Sequence, residues 1–415
     1  MKIIADFQIH SRFARATSKD ITLENLEKWA RVKGINILGT GDFQHPKWFN
    51  EINEKLEEDD NGILWSKSKF PFFWQTEISL MYTQDEKSRK IHHLILAPNK
   101  DVAKQVIEAL GKKGRLDYDG RPIFGFSSIE LVDMMMGINH DIEIIPAHVW
   151  TPYFGLFGSK SGFDSVEECF KEKSKFIHAI ETGLSSSPDM NWMISKIDKY
   201  TLVSNSDSHS FWPWRLGREA NVFDIELKYS EIINAIRTKK GFIETIEVDP
   251  NYGIYHYDGH RDCNFSCDPE KSRELNNICP VCKKPLTIGV LNRINELADR
   301  EYGFKPKDAI PFKILIPLSE LIATTYNINQ LYSKKVWDVY NKLIAAFGNE
   351  FNVLMHVELD NLKKIVDEKL ANFIMLNREG KIKVKPGFDG VYGKPIFEET
   401  IKLNQNKKQK SLTDF

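Results

Sequence analysis

The sequence predicts an α/β protein in which residues 1–210 form a parallel barrel or a doubly wound sheet. Short apolar, β-branched runs alternate there with helix-like stretches, and residues of metal-ligand type recur where the predicted strands end. Four cysteines cluster farther along the chain. The 415 residues are too many for one compact core, so we expect about two or three structural units.

The predicted strands are short runs rich in apolar and β-branched residues: Lys2–Asp6, Ile35–Gly39, Phe72–Met81, Lys90–Ala97, Asp141–Pro146, Phe176–Glu181 and Thr201–Asn205. Between them, helical periodicity covers Thr22–Lys33, Asp101–Lys112 and Ser127–Met136. Ser127 and Glu130 fit a capping box at the start of the last helix. Beyond residue 290 the pattern becomes mainly helical, with predicted helices over Leu291–Tyr302, Lys335–Phe347 and Leu359–Leu376.

Composition limits the class of protein. The chain has 57 Lys and Arg against 58 Asp and Glu, a formal net charge of −1, so a polyanionic partner must meet local basic patches. No apolar run approaches the ~18 residues of a membrane span, and the short apolar stretch at the amino terminus is interrupted by charge. We expect a cytoplasmic monomer with no membrane partner.

Side chains of metal-ligand type lie within or directly after six of the seven predicted strands: Gln8, His10, Asp42, His45, Glu77, His92, His93, His148, Asp207 and His209. Barrel folds bring such strand ends to one rim. Any one of these histidines alone fits a hydrogen-bonded core residue, but so many imidazoles and carboxylates together would repel one another without multivalent cations. The mixed nitrogen and oxygen donors suit Zn²⁺ or Mn²⁺.

His92 and His93 are neighbours in one predicted strand. Adjacent strand residues face opposite sides, so both reach one rim only through a bulge. We predict that His92 is the ligand. For His93, a packed core imidazole is the alternative.

The cysteine cluster predicts a structural zinc site. Cys263, Cys267, Cys279 and Cys282 form two short chelating pairs separated by a loop, and four thiolates suit tetrahedral Zn²⁺. A closed site of this kind supports folding or DNA contact and leaves no coordination position for catalysis.

Two loops beside the predicted rim combine aromatic and basic residues, as nucleic-acid grooves do. The first follows His148, the second follows His209, and their candidate DNA-binding residues are Trp150, Tyr153, Phe154, Phe157, Lys160, Arg215 and Arg218. An ordinary apolar lid is the alternative for the first loop.

The strand-end motifs together resemble the PHP (polymerase and histidinol phosphatase) superfamily: Asp6-x-Gln8-x-His10, Gly39-x-Gly41-Asp42-x-x-His45-Pro46, a strand Glu77, His92-His93, Pro146-Ala-His148 and Ser204-x-Ser206-Asp207-Ser208-His209. The order of these motifs, the cysteine element with Pro285-Leu-Thr-Ile-Gly-Val290, and Pro386-Gly-Phe-Asp-Gly-Val-Tyr-Gly393 resembles, more narrowly, the endonuclease Q family of DNA repair nucleases. The resemblance covers essentially the whole chain. One departure is Gln8, which stands where the superfamily usually has the first His of an H-x-H motif.

The superfamily resemblance implies a distorted seven-stranded PHP barrel that holds two or three divalent cations (Zn²⁺, Mn²⁺ or Mg²⁺) and hydrolyses phosphoesters with metal-activated water. It makes Asp42, Glu77 and Asp207 the expected catalytic residues. The leading metal ligands are then His10, Asp42, Glu77, His148, Asp207 and His209, followed by His45 and His92. Gln8 is the weakest assignment because a neutral amide binds metal poorly.

The narrower resemblance implies a PHP phosphoesterase domain over 1–249, a Cys₄ module over 250–290, an α-rich DNA-binding domain over 291–400 and a tail over 401–415. It implies damaged DNA as the partner, cut on the 5′ side of uracil, hypoxanthine, xanthine or an abasic site. Two alternatives remain: a phosphoesterase acting on small phosphomonoesters or nucleotides, and a non-catalytic DNA-binding protein with a decayed PHP domain.

The carboxyl-terminal residues Gln409, Leu412 and Phe415 match the Q-x-x-L-x-x-F core of peptides that bind PCNA-type sliding clamps. The Lys-, Asn- and Gln-rich leader over 402–408 would let this peptide reach a clamp. A clamp of this type implies an archaeal replication setting.

Overall fold

The computed structural model describes residues 2–397. Its strands are β1 Lys2–Asp6, β2 Ile37–Gly39, β3 Leu56–Glu58, β4 Leu64–Ser66, β5 Pro71–Gln84, β6 Lys87–Ala97, β7 Ile123–Phe124, β8 Glu143–Pro146, β9 Ala179–Glu181, β10 Thr201–Val203, β11 Ala220–Asp224, β12 Phe242–Glu247, β13 Asp258–His260, β14 Phe265–Cys267, β15 Phe312–Ile314, β16 Val384–Lys385 and β17 Lys394–Pro395. The mixed α/β architecture confirms the predicted fold class.

The helices surround this sheet and form most of the carboxyl-terminal region. They are α1 Leu23–Lys33, α2 Pro46–Lys55, α3 Lys100–Gly111, α4 Ser128–Ile138, α5 Val166–Phe170, α6 Pro188–Asn191, α7 Tyr229–Thr238, α8 Pro269–Glu274, α9 Val290–Leu297, α10 Leu318–Thr325, α11 Lys334–Phe347, α12 Glu350–Met355, α13 Leu359–Leu362 and α14 Glu368–Arg378. The predicted capping box is present, with Ser127 and Glu130 closing the start of α4.

The main sheet runs in the order β15-β12-β11-β1-β2-β5-β4-β3, and β6 extends it from β5 to β8. β1, β2 and β5 are parallel neighbours, as predicted. β5 and β6 instead form a long antiparallel hairpin, and β11 pairs antiparallel with β1. The hairpin turn places Asp85 and Glu86 at φ 51° and 60°, the conformation that two-residue hairpin turns require. The expectation of regular βα units was therefore wrong at this point.

The strands enclose one apolar interior. The buried residues of this interior come from strands around the barrel: Ile3, Ala5, Phe7, Ile37, Phe73, Leu94, Leu96, Ile145, Ala179, Val203 and Phe223. α7 covers one end, and the hydroxyl of its Tyr229 donates to the carbonyl of Leu96 at 2.9 Å. With that end closed, the opposite strand ends are the part of the barrel left to carry a site.

The carboxyl-terminal helices pack directly on the barrel. Lys33 of α1 and Glu350 of α12 form an ion pair of 2.7 Å in which both side chains are fully buried. The predicted helix Leu359–Leu376 is broken into α13 and α14, because Asp367 caps a new helix by accepting from the backbone of Leu370. Within residues 2–397, no helix has both the length and the apolar character needed to cross a membrane.

Candidate metal centre

The segments that follow β1, β2, β8 and β10 meet at the open end of the barrel. Three residues there, Asp42, His148 and Asp207, have positive φ angles of 39°, 31° and 46°. Non-glycine residues adopt this conformation at an energetic cost, and such residues concentrate at functional sites. A parallel bridge between Ile9 and Ser208 holds the segments after β1 and β10 together. The turned backbone directs side chains from separate segments toward one point.

Two groups of three metal-ligand side chains lie at this rim, and within each group the candidate ligand atoms lie within 4.8 Å of one another: His10, Asp207 and His209, and Glu77, His92 and His148. In the first group, His10 Nε2 is 3.2 Å from Asp207 Oδ1. In the second, His92 Nδ1 is 2.7 Å from Glu77 Oε1. The structure thus brings six of the predicted residues together as two adjoining clusters.

Asp42 supports the first cluster from behind. Its Oδ1 is 2.9 Å from His10 Nδ1, while its Oδ2 accepts hydrogen bonds from the backbone and hydroxyl of Ser11 at 2.6 and 2.7 Å. Gly120 leaves the room for this carboxylate, because a Cβ at that position would lie 2.4 Å from Asp42 Oδ2. The geometry makes Asp42 a residue that orients His10, which is how carboxylates commonly support metal-binding histidines.

Gln8 provides a test of whether cations fit this rim. Its amide nitrogen donates to Glu77 Oε2 at 2.7 Å, and its buried Oε1 has no hydrogen-bond partner. A buried amide oxygen without a partner is costly, and it is a donor that divalent cations accept. Together with the imidazole and carboxylate clusters beside it, this orphaned oxygen fits a site built for metal ions.

Carboxylates, histidines and an arginine lie side by side at the rim and shift one another's pKa values. Although burial opposes it, Arg121 and His92 hold the pKa of Glu77 well below its usual value, and the adjacent imidazoles lower that of Asp207. Burial and Arg121 lower the pKa of His92 to about 3, whereas Glu77 overcomes burial and raises that of His148 to about 9. The carboxylates and His92 are therefore in the deprotonated forms that bind cations, whereas His148 would release its proton when a cation binds.

The structure does not bring His45 and His93 into either cluster. His45 precedes α2 and stacks on Phe13 with ring centroids 4.2 Å apart. His93 faces the other side of β6, where its Nε2 is 2.9 Å from the Ser128 hydroxyl and its ring lies against Phe170. His92 instead lies opposite Ser79, on the same face of the hairpin as Glu77, so strand alternation separates the two histidines.

Arg121 is a site residue that the sequence analysis missed. Its Nη1 is 3.3 Å from Glu77 Oε1, within the second cluster. Asp119 accepts from the Arg121 backbone at 3.0 Å, and Gln44 donates to the carbonyl of Gly120 at 2.6 Å, so the loop that carries Arg121 is fastened to the barrel. Nothing in its local sequence marks this residue, because the loop reaches the site from between α3 and α4.

A cavity of about 620 Å³ opens directly from the metal centre. Tyr153 and Phe154 line it, and the Phe154 ring lies 4.5 Å from that of His92. Trp150 and Phe157, which we expected to contact DNA, are in the core instead, each 1% exposed. The Trp150 indole donates to Asn191 at 2.8 Å, so this ring is committed to packing. Lys160 of the same loop is exposed.

Arg215 and Arg218 line the far side of this cavity. Arg218 donates from Nε to the carbonyl of Ser206 at 3.0 Å, and the Arg215 guanidinium lies 4.5 Å from the ring centroid of Tyr392. Each arginine keeps a buried Nη1 with no partner. Two adjacent guanidinium groups give this wall of the cavity a positive charge that suits an anion.

The cysteine module lies beside the barrel and begins with the β13–β14 hairpin. Here the structure differs from the predicted Cys₄ set. Cys263, Cys279 and Cys282 group with His260, while Cys267 lies outside the group. The predicted clamp peptide, Gln409, Leu412 and Phe415, lies outside the described residues.

The distorted barrel and its paired ligand clusters define the class of metal-dependent hydrolases. A crystal structure of the lesion-specific endonuclease PfuEndoQ from Pyrococcus furiosus superposes with a TM-score of 0.86 and 30% sequence identity, covering 97% of each chain. The chain belongs to the endonuclease Q family, which confirms the predicted resemblance.

Further similarities agree with this assignment. A crystal structure of endonuclease Q in complex with a 27-mer duplex substrate, with an abasic lesion at the active site, also gives a TM-score of 0.86 at 30% identity, covering 97% of this chain and 98% of that one. The uncharacterized protein MJ0043 of Methanocaldococcus jannaschii is 36% identical over 255 residues. The match spans 60% of this chain and 31% of that relative's length. Residues 317–381 match the family model of the MJ0043 C-terminal domain.

Proposed function

We propose that the protein is a DNA repair endonuclease that hydrolyses the phosphodiester on the 5′ side of a damaged nucleotide. The proposed lesions are uracil, hypoxanthine, xanthine and abasic sites. The observation that carries the proposal is the opening of the metal centre into a 620 Å³ cavity that is also lined by aromatic rings and two arginines. The endonuclease Q crystallised with an abasic duplex at its active site supports it.

Glu77, Asp207 and the histidines around them would hold the cations. Divalent cations bound there would make water more acidic and neutralise negative charge on a phosphate. The role of Asp42 is to fix the ring of His10 through its 2.9 Å contact, so that Nε2 faces the rim. Arg121 places a guanidinium beside Glu77, where it can neutralise part of the charge that builds on the phosphate oxygens.

The cavity favours a nucleic acid over a small phosphomonoester. Tyr153 and Phe154 offer ring faces beside the metal centre, as proteins that stack extruded bases do. Arg215 and Arg218 offer phosphate-type contacts on the opposite side. A phosphomonoester has no second phosphate for that pair. The deep clusters of ligands also argue against the non-catalytic alternative.

A cleavage assay with matched duplexes tests this proposal. We expect 5′-labelled duplexes that carry one uracil, hypoxanthine or abasic site to be nicked on the 5′ side of the lesion in the presence of Mg²⁺ or Mn²⁺, and the undamaged duplex to stay intact. EDTA should abolish cleavage. Equal cutting of damaged and undamaged duplex, or activity confined to small phosphomonoesters, would overturn the proposal.

Two variants of the loop that follows His148 refine the assay. Phe154→Ala should reduce the preference for damaged DNA because its ring lines the cavity. Lys160→Ala, an exposed substitution in the same loop that does not line the cavity, separates a loss of general DNA affinity from a loss of lesion preference. An unchanged lesion preference in Phe154→Ala would remove this ring from the proposed substrate contacts.

The domain division belongs to the same proposal. Residues 1–249 would carry catalysis, 250–290 a zinc module, 291–400 further DNA contacts and 401–415 a peptide for a PCNA-type clamp. The basic residues of the zinc module, which include Lys283 and Lys284, support a DNA contact there.

A further inference from the structure

One metal ligand of the zinc module is a histidine, so the cysteine pattern does not reveal it. We infer that its zinc ion is held by His260, Cys263, Cys279 and Cys282, with Cys267 left as a free thiol. A Cys₃His donor set is a regular ligand set for structural zinc. This assignment concerns folding of the module and is independent of the proposed cleavage reaction.

The four donors already converge. Candidate ligand atoms of His260, Cys263, Cys279 and Cys282 all lie within 4.8 Å of one another. His260 Nδ1 is 3.6 Å from the Cys282 sulfur, and the Cys263 thiol interacts with the thiols of Cys279 and Cys282. Side chains from two separate loops are thus gathered around one point.

The four ligands form two pairs that have the same spacing and the same backbone turn. His260 and Cys263 are separated by two residues, and so are Cys279 and Cys282. Each pair is followed at once by a left-handed residue, Asn264 at φ 47° and Lys283 at φ 63°. Tight turns of this kind hold the two ligands of a zinc knuckle close together.

Further hydrogen bonds close both turns. The amide of Asn264 donates to the carbonyl of Arg261 at 2.9 Å, and the amide of Lys283 donates to that of Cys279 at 2.9 Å. The Cys263–Cys267 pair has the wider spacing of three residues, and the extended strand β14, which runs from Phe265 to Cys267, leaves Cys267 outside the group.

Cys267 has different surroundings. It ends β14 opposite Asp258 in the hairpin, and the carboxylates of Asp258 and Asp268 act on its thiol. Cys267 thus lies beside carboxylates, whereas the thiol of Cys263 lies beside those of Cys279 and Cys282. Asp258 is itself engaged with the amides of Gly289 and Asn292, both at 2.6 Å, so it is held in place on this side of the hairpin.

Cobalt substitution of the full-length protein tests the assignment. The near-ultraviolet thiolate-to-Co²⁺ charge-transfer absorption scales with the number of cysteine ligands, and the barrel clusters contain no cysteine, so the signal reports this module alone. We expect Cys267→Ser to keep the wild-type absorption and metal content. His260→Cys should raise the absorption by about a third, from three thiolates to four. Cys279→Ser, the matched cysteine control, should lose metal.

Alkylation of the folded wild-type protein provides a test without variants. With zinc bound, iodoacetamide should modify Cys267 while Cys263, Cys279 and Cys282 stay protected until a chelator is added, as read by peptide mass spectrometry. Cys169, which is fully buried, serves as the unreactive reference. The assignment is overturned if Cys267 is protected together with the other three cysteines. It is also overturned if the charge-transfer absorption of the cobalt-substituted Cys267→Ser variant falls by the contribution of one thiolate.

Discussion

His10 Nε2 lies 3.0 Å from Glu77 Oε2, and this contact joins the two ligand clusters of the metal centre. The other nitrogen of the same ring lies 2.9 Å from Asp42 Oδ1. His10 is therefore held from both sides and couples a carboxylate behind the site to both clusters. Substitutions of Glu77 and of Asp42, which contact opposite sides of this ring, should therefore affect cleavage differently.

Glu77→Gln should abolish cleavage while leaving DNA binding intact. The substitution removes the charge shared by both clusters but keeps the shape of a buried side chain. We expect a loss of more than about 100-fold in single-turnover cleavage of a uracil duplex, with unchanged duplex affinity by fluorescence anisotropy. Near wild-type turnover at saturating Mn²⁺ would remove Glu77 from the ligand set, and Asp207→Asn tests the first cluster in the same way.

Asp42→Asn should weaken the site without destroying it. Asn keeps the size of the side chain but loses the charge that holds the His10 ring. Substituting an orienting carboxylate costs about 10–100-fold in metal affinity or activity, and added metal should recover part of that loss. A defect as complete as that of Glu77→Gln, with no recovery in a metal titration, would instead make Asp42 a direct ligand.

Arg218→Gln should change the salt dependence of DNA binding. If its guanidinium, which lines the cavity, binds a phosphate, the slope of log affinity against log salt should shrink by about one unit. Arg31→Gln is the matched control, because this arginine pairs with Glu27 on α1. An equal slope for both variants would mean that Arg218 serves the fold alone.

Glu320→Gln should change how stability varies with pH. Burial raises the pKa of Glu320 to about 7, although Arg215 and Arg218 oppose the rise. The folded state then holds this proton more tightly than the unfolded state, so the carboxyl costs stability as pH rises from about 4.5 to 7. The variant should match wild type below this window and exceed it above, by up to about 3 kcal/mol.

The measurement is the difference in urea midpoint between the two proteins across pH 4–8. Taking the difference cancels the other titrating groups that the proteins share. A difference that does not vary with pH, or one that favours wild type above neutrality, would contradict the pKa assigned to Glu320.

Deleting Leu412–Phe415 should abolish binding to a PCNA-type clamp and leave cleavage of short duplexes intact. The expectation rests on the match of Gln409, Leu412 and Phe415 to the clamp-binding peptide. Calorimetry with the full-length and shortened chains checks it. Equal binding of both chains would show that the peptide has no part in clamp recognition.

The sequence by itself determined the features that depend on local pattern. Strand and helix periods placed β1, β5, β6 and α4 within a few residues, and Ser127 with Glu130 predicted the start of α4. Ligand-type residues could be recognised because a barrel must deliver successive strand ends to one rim. Strand alternation also separated His92 from His93 before any contact was known.

Tertiary structure decided which side chains meet. In the sequence, Trp150 and Phe157 resemble base-stacking residues. In the structure both rings are buried in the core, and Trp150 donates a hydrogen bond to Asn191. Arg121 enters the metal centre from a loop remote in sequence. His260, and not Cys267, lies together with Cys263, Cys279 and Cys282. Such choices depend on contacts between distant segments, and the free energy of those contacts exists only once the barrel and its loops have packed together.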